Sequence, residues 1–466
     1  MLTHLEKLDG YFTEQRDEHL GQLKDFLRIP SISALSEHKG DMQKAAEWLM
    51  DSFQKAGLEN LSIDETDGQP VVYGDWLHAE GKPTILVYGH YDVQPVDPLN
   101  LWESAPFEPE IRDNKLFARG ASDDKGQVFM HIKAVEALIK QTGSLPVNVK
   151  FFIEGEEEIG SPNLEKYIEA NQDKLAADII VISDTGMQGP GHPAVCYGLR
   201  GLCGVQIDVQ GAKSDLHSGL YGGGVANPIH ALAEVLASFR DQEGTIAIEG
   251  FYDTVRPLSY EEREAYKALG FDEEELKEEV GVTELFGEKG FSYLERTWTR
   301  PTLEVNGIFG GFSGEGIKTV LPAEAGAKIT CRLVPDQDPD DIIEKLKAHI
   351  EQHKPAGVTV TVSEFDKGKP FITPFDHPAI QAAGRSYEKV YNVPTAYIRG
   401  GGSIPIVAAF DEILQLPVVL MGFGLSSENF HAPNEHFHLE NFDQGLRVIG
   451  DYYYEIASFT KDELKK

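Results

Sequence analysis

Two hydrophobic patterns divide the chain. Before about residue 200, apolar residues gather in short continuous runs, at 84–88, 147–154 and 178–184. Such runs predict strands covered on both faces, the habit of a parallel sheet. Residues 14–28, 41–56 and 127–142 instead carry apolar positions at helical spacing, for example Ala45, Leu49, Phe53 and Ala56, and predict helices packed on that sheet. From Cys203 the pattern alternates: Val205, Ile207 and Val209 fall on one side, Gln206, Asp208 and Gln210 on the other. That is a strand with one wet face. Similar strands are predicted at 302–309, 325–334 and 358–365, with helices starting at Asn227-Pro228 and at Pro339. Residues 261–288 form an acidic, helix-prone excursion. A helix starting near His377-Pro378, a strand from Ala396, a Gly-rich turn at 399–403 and an apolar strand at 417–421 return the chain to its first pattern. The expected fold is α/β: a doubly wound, mostly parallel sheet from residues 1–199 and 378–466, with an inserted α+β domain at 200–377.

The polar residues at the strand ends give this architecture a chemistry. The run 84–88 leads into Gly89, His90 and Asp92; the second and third runs end beside Glu157-Glu158 and at Asp184. Asp123 lies in a Gly-Ala-Ser-Asp-Asp-Lys-Gly turn, and His431 follows the last apolar strand. Most of these tips are spaced by about 30 residues, one β-α-β unit, so they gather along one edge of the sheet, where open α/β folds place ligands. His90 and Asp92 are two apart, so on extended backbone the carboxylate can hold one imidazole nitrogen while the other binds a metal. Two imidazoles and several carboxylates without sulfur suit two divalent ions, Zn²⁺ first, with Mn²⁺ or Co²⁺ as alternatives. If Asp123 bridges while Glu158 and Asp184 are terminal ligands, a bridging hydroxide completes the charge balance. Glu157 is then left over as the general base that activates the metal-bridging water.

Charge and cysteine content narrow the partners. Against 42 Lys and Arg stand 76 Asp and Glu, a formal charge of −34. That field argues against nucleic acid and anionic membranes, and requires local positive charge wherever a carboxylate substrate binds. No apolar stretch is long enough to span a bilayer, and Cys196, Cys203 and Cys331 form no metal-binding or disulfide pattern. The expected setting is cytoplasmic.

The motifs together resemble the M20 metallopeptidases. His90-Tyr-Asp92, Gly120-Ala-Ser-Asp123-Asp124-Lys125-Gly126, Glu157-Glu158-Ile-Gly-Ser, Ser183-Asp184 and His431-Ala-Pro-Asn-Glu435 look like that family's five signature blocks, in order. Ser214-Asp-Leu-His217-Ser-Gly219, the stretch 312–320, Cys331-Arg332-Leu-Val-Pro335 and Gly401-Gly402-Ser403-Ile404-Pro405 are similar to the carnosinase and cytosolic non-specific dipeptidase branch. Tyr91 stands where leucine is usual, and aligning Glu-Glu-x-Gly-Ser among three glutamates selects Glu157 and Glu158. The resemblance implies that His90 and Asp184 hold one metal, Glu158 and His431 the other, and that Asp123 bridges them, two divalent ions per subunit. Asp92 would orient His90, Glu157 would be the base, and the Asp123–Asp124 peptide would be cis. The inserted domain would be a lid that also dimerises. The partner subunit's His217 would stabilise the oxyanion, and Thr319, Arg332 and Ser403 would bind substrate. The implied enzyme is a homodimeric hydrolase of dipeptides or short peptides. The alternatives are a deacylase of N-acyl amino acids and a non-catalytic metal-binding scaffold.

Overall fold

The structure of the protein, a computed structural model, describes residues 3–401 and 405–465. It divides into two compact units. One comprises the chain up to Tyr197, Thr373–Ile398 and the chain from Pro405; the other is Gly198–Ile372 with the segment starting at Arg399. The divisions after Tyr197 and Ile372 stand beside the expected ones after residues 199 and 377.

The first unit is built on a mixed, mostly parallel sheet. Its strands follow the order Glu59–Asp64, Val71–Trp76, Asn148–Glu154, Thr84–His90, Ile179–Ile182, Val418–Leu420, Ala194–Leu199. The inner four are parallel, and every residue of Thr84–His90 and Asn148–Glu154 is buried, which explains their largely apolar composition. Neighbouring residues on these strands face opposite layers. Phe151 meets Phe53 of the helix Lys39–Ala56, while Tyr88 and Phe152 meet Phe410, and Phe152 stacks on Tyr167 of Leu164–Ala170. The sheet is therefore covered on both faces.

The first helix runs His4–Leu27, well before the expected start at residue 14. Thr3 and Glu6 form a capping box, with the Glu6 amide donating to Thr3 Oγ1 (3.2 Å) and the Thr3 amide donating to Glu6 Oε2 (2.7 Å). The helix ends over Lys125, whose buried ammonium donates to the carbonyls of Phe26 (3.3 Å) and Ile29 (2.7 Å).

The second unit carries an antiparallel sheet ordered Thr302–Gly310, Glu324–Leu333, Gly201–Gln210, Thr359–Gly368. Val205, Ile207 and Val209 turn inward with Ala327, Ile329 and Cys331, and pack with residues of the helices Pro228–Ser238 and Pro339–His353. Asn227 caps the first of these helices and Asp338 the second, each with proline in the first turn. The acidic excursion forms two short helices, Tyr260–Ala268 and Glu273–Val280. Among the described residues, no helix is long and apolar enough to cross a membrane.

The turn bearing Asp123 is pressed against the helix that follows it, Lys125–Thr142. A Cβ on Gly126 would lie 2.0 Å from the Ala121 carbonyl oxygen. Gly126→Ala is therefore expected to destabilise the protein by about 1–3 kcal/mol. Denaturant unfolding measures this; a change within about 0.5 kcal/mol, the usual surface effect, would contradict it.

Candidate metal centre

Three parallel strands deliver the site. His90 ends its strand with a fully buried side chain; the turn Glu157–Ile159 follows Asn148–Glu154, and Asp184 follows Ile179–Ile182. Asp123 arrives on the turn before Lys125–Thr142, across a cis Asp123–Asp124 peptide. His431 comes from the loop after Val418–Leu420, in left-handed backbone at φ 57°.

Asp123 stands between the two imidazoles. Its Oδ1 lies 3.2 Å from His90 Nε2 and its Oδ2 lies 2.9 Å from His431 Nε2. Beyond His90 is Asp184 Oδ2 at 3.7 Å, and beyond His431 is Glu158 Oε2 at 3.2 Å. His90, Glu157 and Asp184 bring ligand atoms within 4.8 Å of one another, as do Asp123, Glu158 and His431. The expected residues thus fall into two adjacent groups of three, each with one histidine and two carboxylates. Glu157 lies in the first group, and no hydrogen bond holds its carboxylate among the described residues.

Asp92 is a strut behind this cluster. Its carbonyl, rather than its carboxylate, receives the short hydrogen bond from His90 Nδ1 (3.0 Å), with Oδ1 at 3.3 Å. The carboxylate mainly serves the acidic turn: Oδ1 accepts from the Glu157 amide (3.2 Å), and Oδ2 accepts from the Glu158 amide (3.1 Å) and from Ser33 Oγ (2.6 Å). With the Nδ1 proton committed to Asp92, Nε2 is the lone pair turned toward the acids. Gln94 Nε2 holds Glu158 Oε2 at 2.8 Å.

The electrostatics call for cations. Burial, reinforced by Asp123, pushes Asp184 well above the usual carboxylate range. Burial also raises Glu157 to about 7, with Glu158 and Asp123 adding to it against the opposing effect of His90. Burial opposes charge on His90, yet Asp123, Asp92 and Asp184 raise its pKa well above the ordinary value. His431 is raised to about 10 by its contacts with Asp123 and Glu158. The cluster attracts protons, and divalent ions compete for the same lone pairs. His90 Nε2 is buried and makes no hydrogen bond among the described residues. An orphaned imidazole nitrogen facing carboxylate oxygens, without sulfur, fits a hard or borderline divalent ion.

Two supports had no assigned role in the sequence reading. Buried Glu435 accepts from Arg119 Nη1 (2.8 Å) and from the amides of Gly120 (2.9 Å), Ser122 (3.1 Å) and Asp123 (3.2 Å), clamping the turn that presents Asp123. Buried Glu428 accepts from Ser122 Oγ (2.6 Å) and from His438 Nδ1 (2.7 Å). Glu435 was visible as the end of a motif; Arg119 and Glu428 carried no local signal.

The other expected residues lie on the second unit or outside the described chain. His217 pairs with Val320 in a two-stranded ribbon, which sets Thr319 beside it, and both are exposed. The Gly219 amide donates to His217 Nδ1 (3.0 Å), so a neutral ring carries its proton on exposed Nε2. Arg332 lies on Glu324–Leu333. Ser403 lies outside the described residues.

An α/β sheet with imidazoles and carboxylates gathered at its strand ends is the arrangement a metal-dependent hydrolase uses. The model of peptidase family M20/M25/M40 matches residues 86–455, and the chain belongs to that family. It is 33% identical over 474 residues to the Cys-Gly metallodipeptidase dug1 of Schizosaccharomyces pombe, covering 98% of this chain and 99% of that one. It is also 33% identical to the human Beta-Ala-His dipeptidase over 470 residues, covering 97% and 93%. Among solved structures, the M20 family metallo-carboxypeptidase Sso-CP2 from Sulfolobus solfataricus is similar with a TM-score of 0.79 and 36% identity, over 95% of this chain and 100% of that one.

Replacing Glu435 by glutamine leaves buried Arg119 without its charge partner and loosens the Asp123 turn. The expected cost is about 3–5 kcal/mol in stability and about 10–100-fold in metal affinity. Denaturant unfolding and calorimetric metal titration read the two effects; unchanged affinity would remove Glu435 as a support of the site.

Proposed function

We propose that this protein is a dinuclear metal-dependent dipeptidase working as a homodimer. The observation that carries the reading is Asp123, which offers one carboxylate oxygen to each of two imidazoles (3.2 and 2.9 Å). His90 and Asp184 would hold one ion, Glu158 and His431 the other, with Asp123 between them. Zn²⁺ fits this donor set, and Mn²⁺ or Co²⁺ fits it as well. When bound, such ions polarise the scissile carbonyl and acidify a water.

The chain's own groups do the rest. Glu157, free of the hydrogen bonds that restrain Asp92 and Glu158, takes the proton of the attacking water and returns it to the leaving amine. Asp92 keeps the His90 ring and the Glu157–Glu158 turn in register. The partner subunit's His217, with its Nε2 proton exposed, donates to the oxygen that becomes negative as the carbonyl is attacked. Thr319, Arg332 and Ser403 receive the substrate, Arg332 at the free carboxylate. Pairing of two copies through the second unit is supported by its edge strand Thr302–Gly310, where Val305, Ile308 and Phe309 are exposed, Ile308 at 66%. The substrates in the relatives' names, Cys-Gly and β-Ala-His, support the choice of dipeptides.

Metal-reconstituted protein is expected to turn over dipeptides, Cys-Gly and β-Ala-His among them, faster than N-acyl amino acids; the reverse order would overturn the peptidase reading. Glu157→Gln is expected to lower kcat by about 10²–10⁴-fold with metal content unchanged; retained turnover would exclude it as the base. His217→Ala and Glu157→Gln protomers, each impaired alone, are expected to recover activity when mixed into heterodimers. Verified heterodimers that stay inactive would refute sharing across subunits.

A further inference from the structure

Arg200 and Arg332 stand on the second unit with no counter-ion among the described residues. Arg332 lies directly opposite Leu202 in the pairing of Glu324–Leu333 with Gly201–Gln210. Cys331 and Leu333 turn into the core, so Arg332 turns to the other face. Arg200 comes just before that strand, two residues before Leu202, close enough for the Arg332 charge to act on it. The two charges feel each other: burial first, and then the Arg332 guanidinium, pull Arg200 down to about 10, still cationic at neutral pH.

No carboxylate among the described residues pairs with either guanidinium, whereas Arg240, Arg256, Arg263 and Arg300 of the same unit each hold a Glu or Asp. In a chain with 76 acidic and 42 basic residues, two half-buried, adjacent and unpaired arginines form an arrangement that an anion relieves. The backbone also holds Arg200 in place. Its amide donates to the Gly400 carbonyl and its Nε to the Gly401 carbonyl, each at 3.2 Å, which leaves the two Nη groups for a ligand. A Cβ at Gly401 would lie 3.0 Å from Nη2, so glycine there lets the guanidinium rest against the loop.

We propose that Arg200 joins Arg332 in a two-guanidinium receptor for a carboxylate, the free C-terminus of the peptide, and is thus a substrate-binding residue. This rests on the dipeptidase reading above. Planar N–H forks match a carboxylate and find no charge in a C-terminal amide.

The test compares L-alanyl-L-alanine with its C-terminal amide, using the metal-loaded full chain. Arg200→Gln is expected to reduce the acid-to-amide ratio of kcat/KM on the order of 10–100-fold. Arg200→Lys, which keeps the charge but loses the fork, is expected to fall between. In a Glu157→Gln background, calorimetry is expected to show the same factor in the dissociation constant of the dipeptide and none for the amide. Circular dichroism and metal content verify that each variant is folded. If wild type cleaves dipeptides and both ratios are unchanged by either Arg200 substitution, Arg200 is not part of the receptor. If wild type cleaves no peptide, the dipeptidase reading falls, and the binding comparison alone decides the role of Arg200: Arg200-dependent dipeptide binding upholds it, and equal binding overturns it.

Discussion

Like charges held at contact distance in a buried place are the constraint on which the first unit depends. Asp123, Asp184, Glu157 and Glu158 converge around two imidazoles with ligand atoms within 4.8 Å in each group. Carboxylates brought this close repel one another and lose hydration, so the arrangement calls for protons or cations to offset the charge and for a frame that does not yield. The frame is visible. Every residue of the strand that carries His90 is buried, and its partners are fixed by backbone pairing from Thr84↔Asn148 to His90↔Glu154. Asp92 ties the His90 strand to the acidic turn through both carboxylate oxygens, and Glu435 ties the Asp123 turn to the far end of the chain.

Where each of these side chains sits along the chain follows from that frame. A parallel strand ends in a loop at the sheet's carboxyl edge, and one β-α-β unit later the next strand ends beside it. His90, Glu157, Glu158 and Asp184 were legible for this reason: each follows an apolar run whose burial on both faces is written in its composition. The alternating strands of the second unit were legible likewise, because one wet face leaves a period of two in the sequence. The first helix starts ten residues before the expected Glu14 because Leu5, Leu8 and Phe12 carry its apolar stripe, interrupted by charged residues, back to the Thr3–Glu6 capping box. Arg119 and Glu435 could not be paired by pattern at all: they are 316 residues apart, and only the folded sheet makes them neighbours.

Motif residues also turn out to divide their labour. Asp123, Asp124, Lys125 and Gly126 are consecutive, yet only Asp123 reaches the two imidazoles. Asp124 Oδ2 accepts from the His90 amide at 3.2 Å and steadies the strand end. Lys125 satisfies carbonyls at the end of the first helix, and Gly126 permits the turn to close against Ala121. A signature block is thus one residue that reaches the cluster and the scaffolding that fixes its direction, which is why residue type alone overstates how many of its members face the site.

Glu157 and Glu158 show how direction separates two identical groups. Both amides hang from the two oxygens of Asp92, so the turn is pinned at adjacent residues and their side chains must diverge. Glu158 swings to His431 and is held there by Gln94, while Glu157 falls on the His90 side, where no hydrogen bond among the described residues holds its carboxylate. A ligand needs the first situation, since an ordered carboxylate loses little further freedom on binding an ion. A proton carrier needs the second, because it must approach the water and then the leaving amine in one cycle. The backbone, by fixing both amides on a single carboxylate, sets one glutamate beside His431 and Gln94 and the other beside His90 and Asp184.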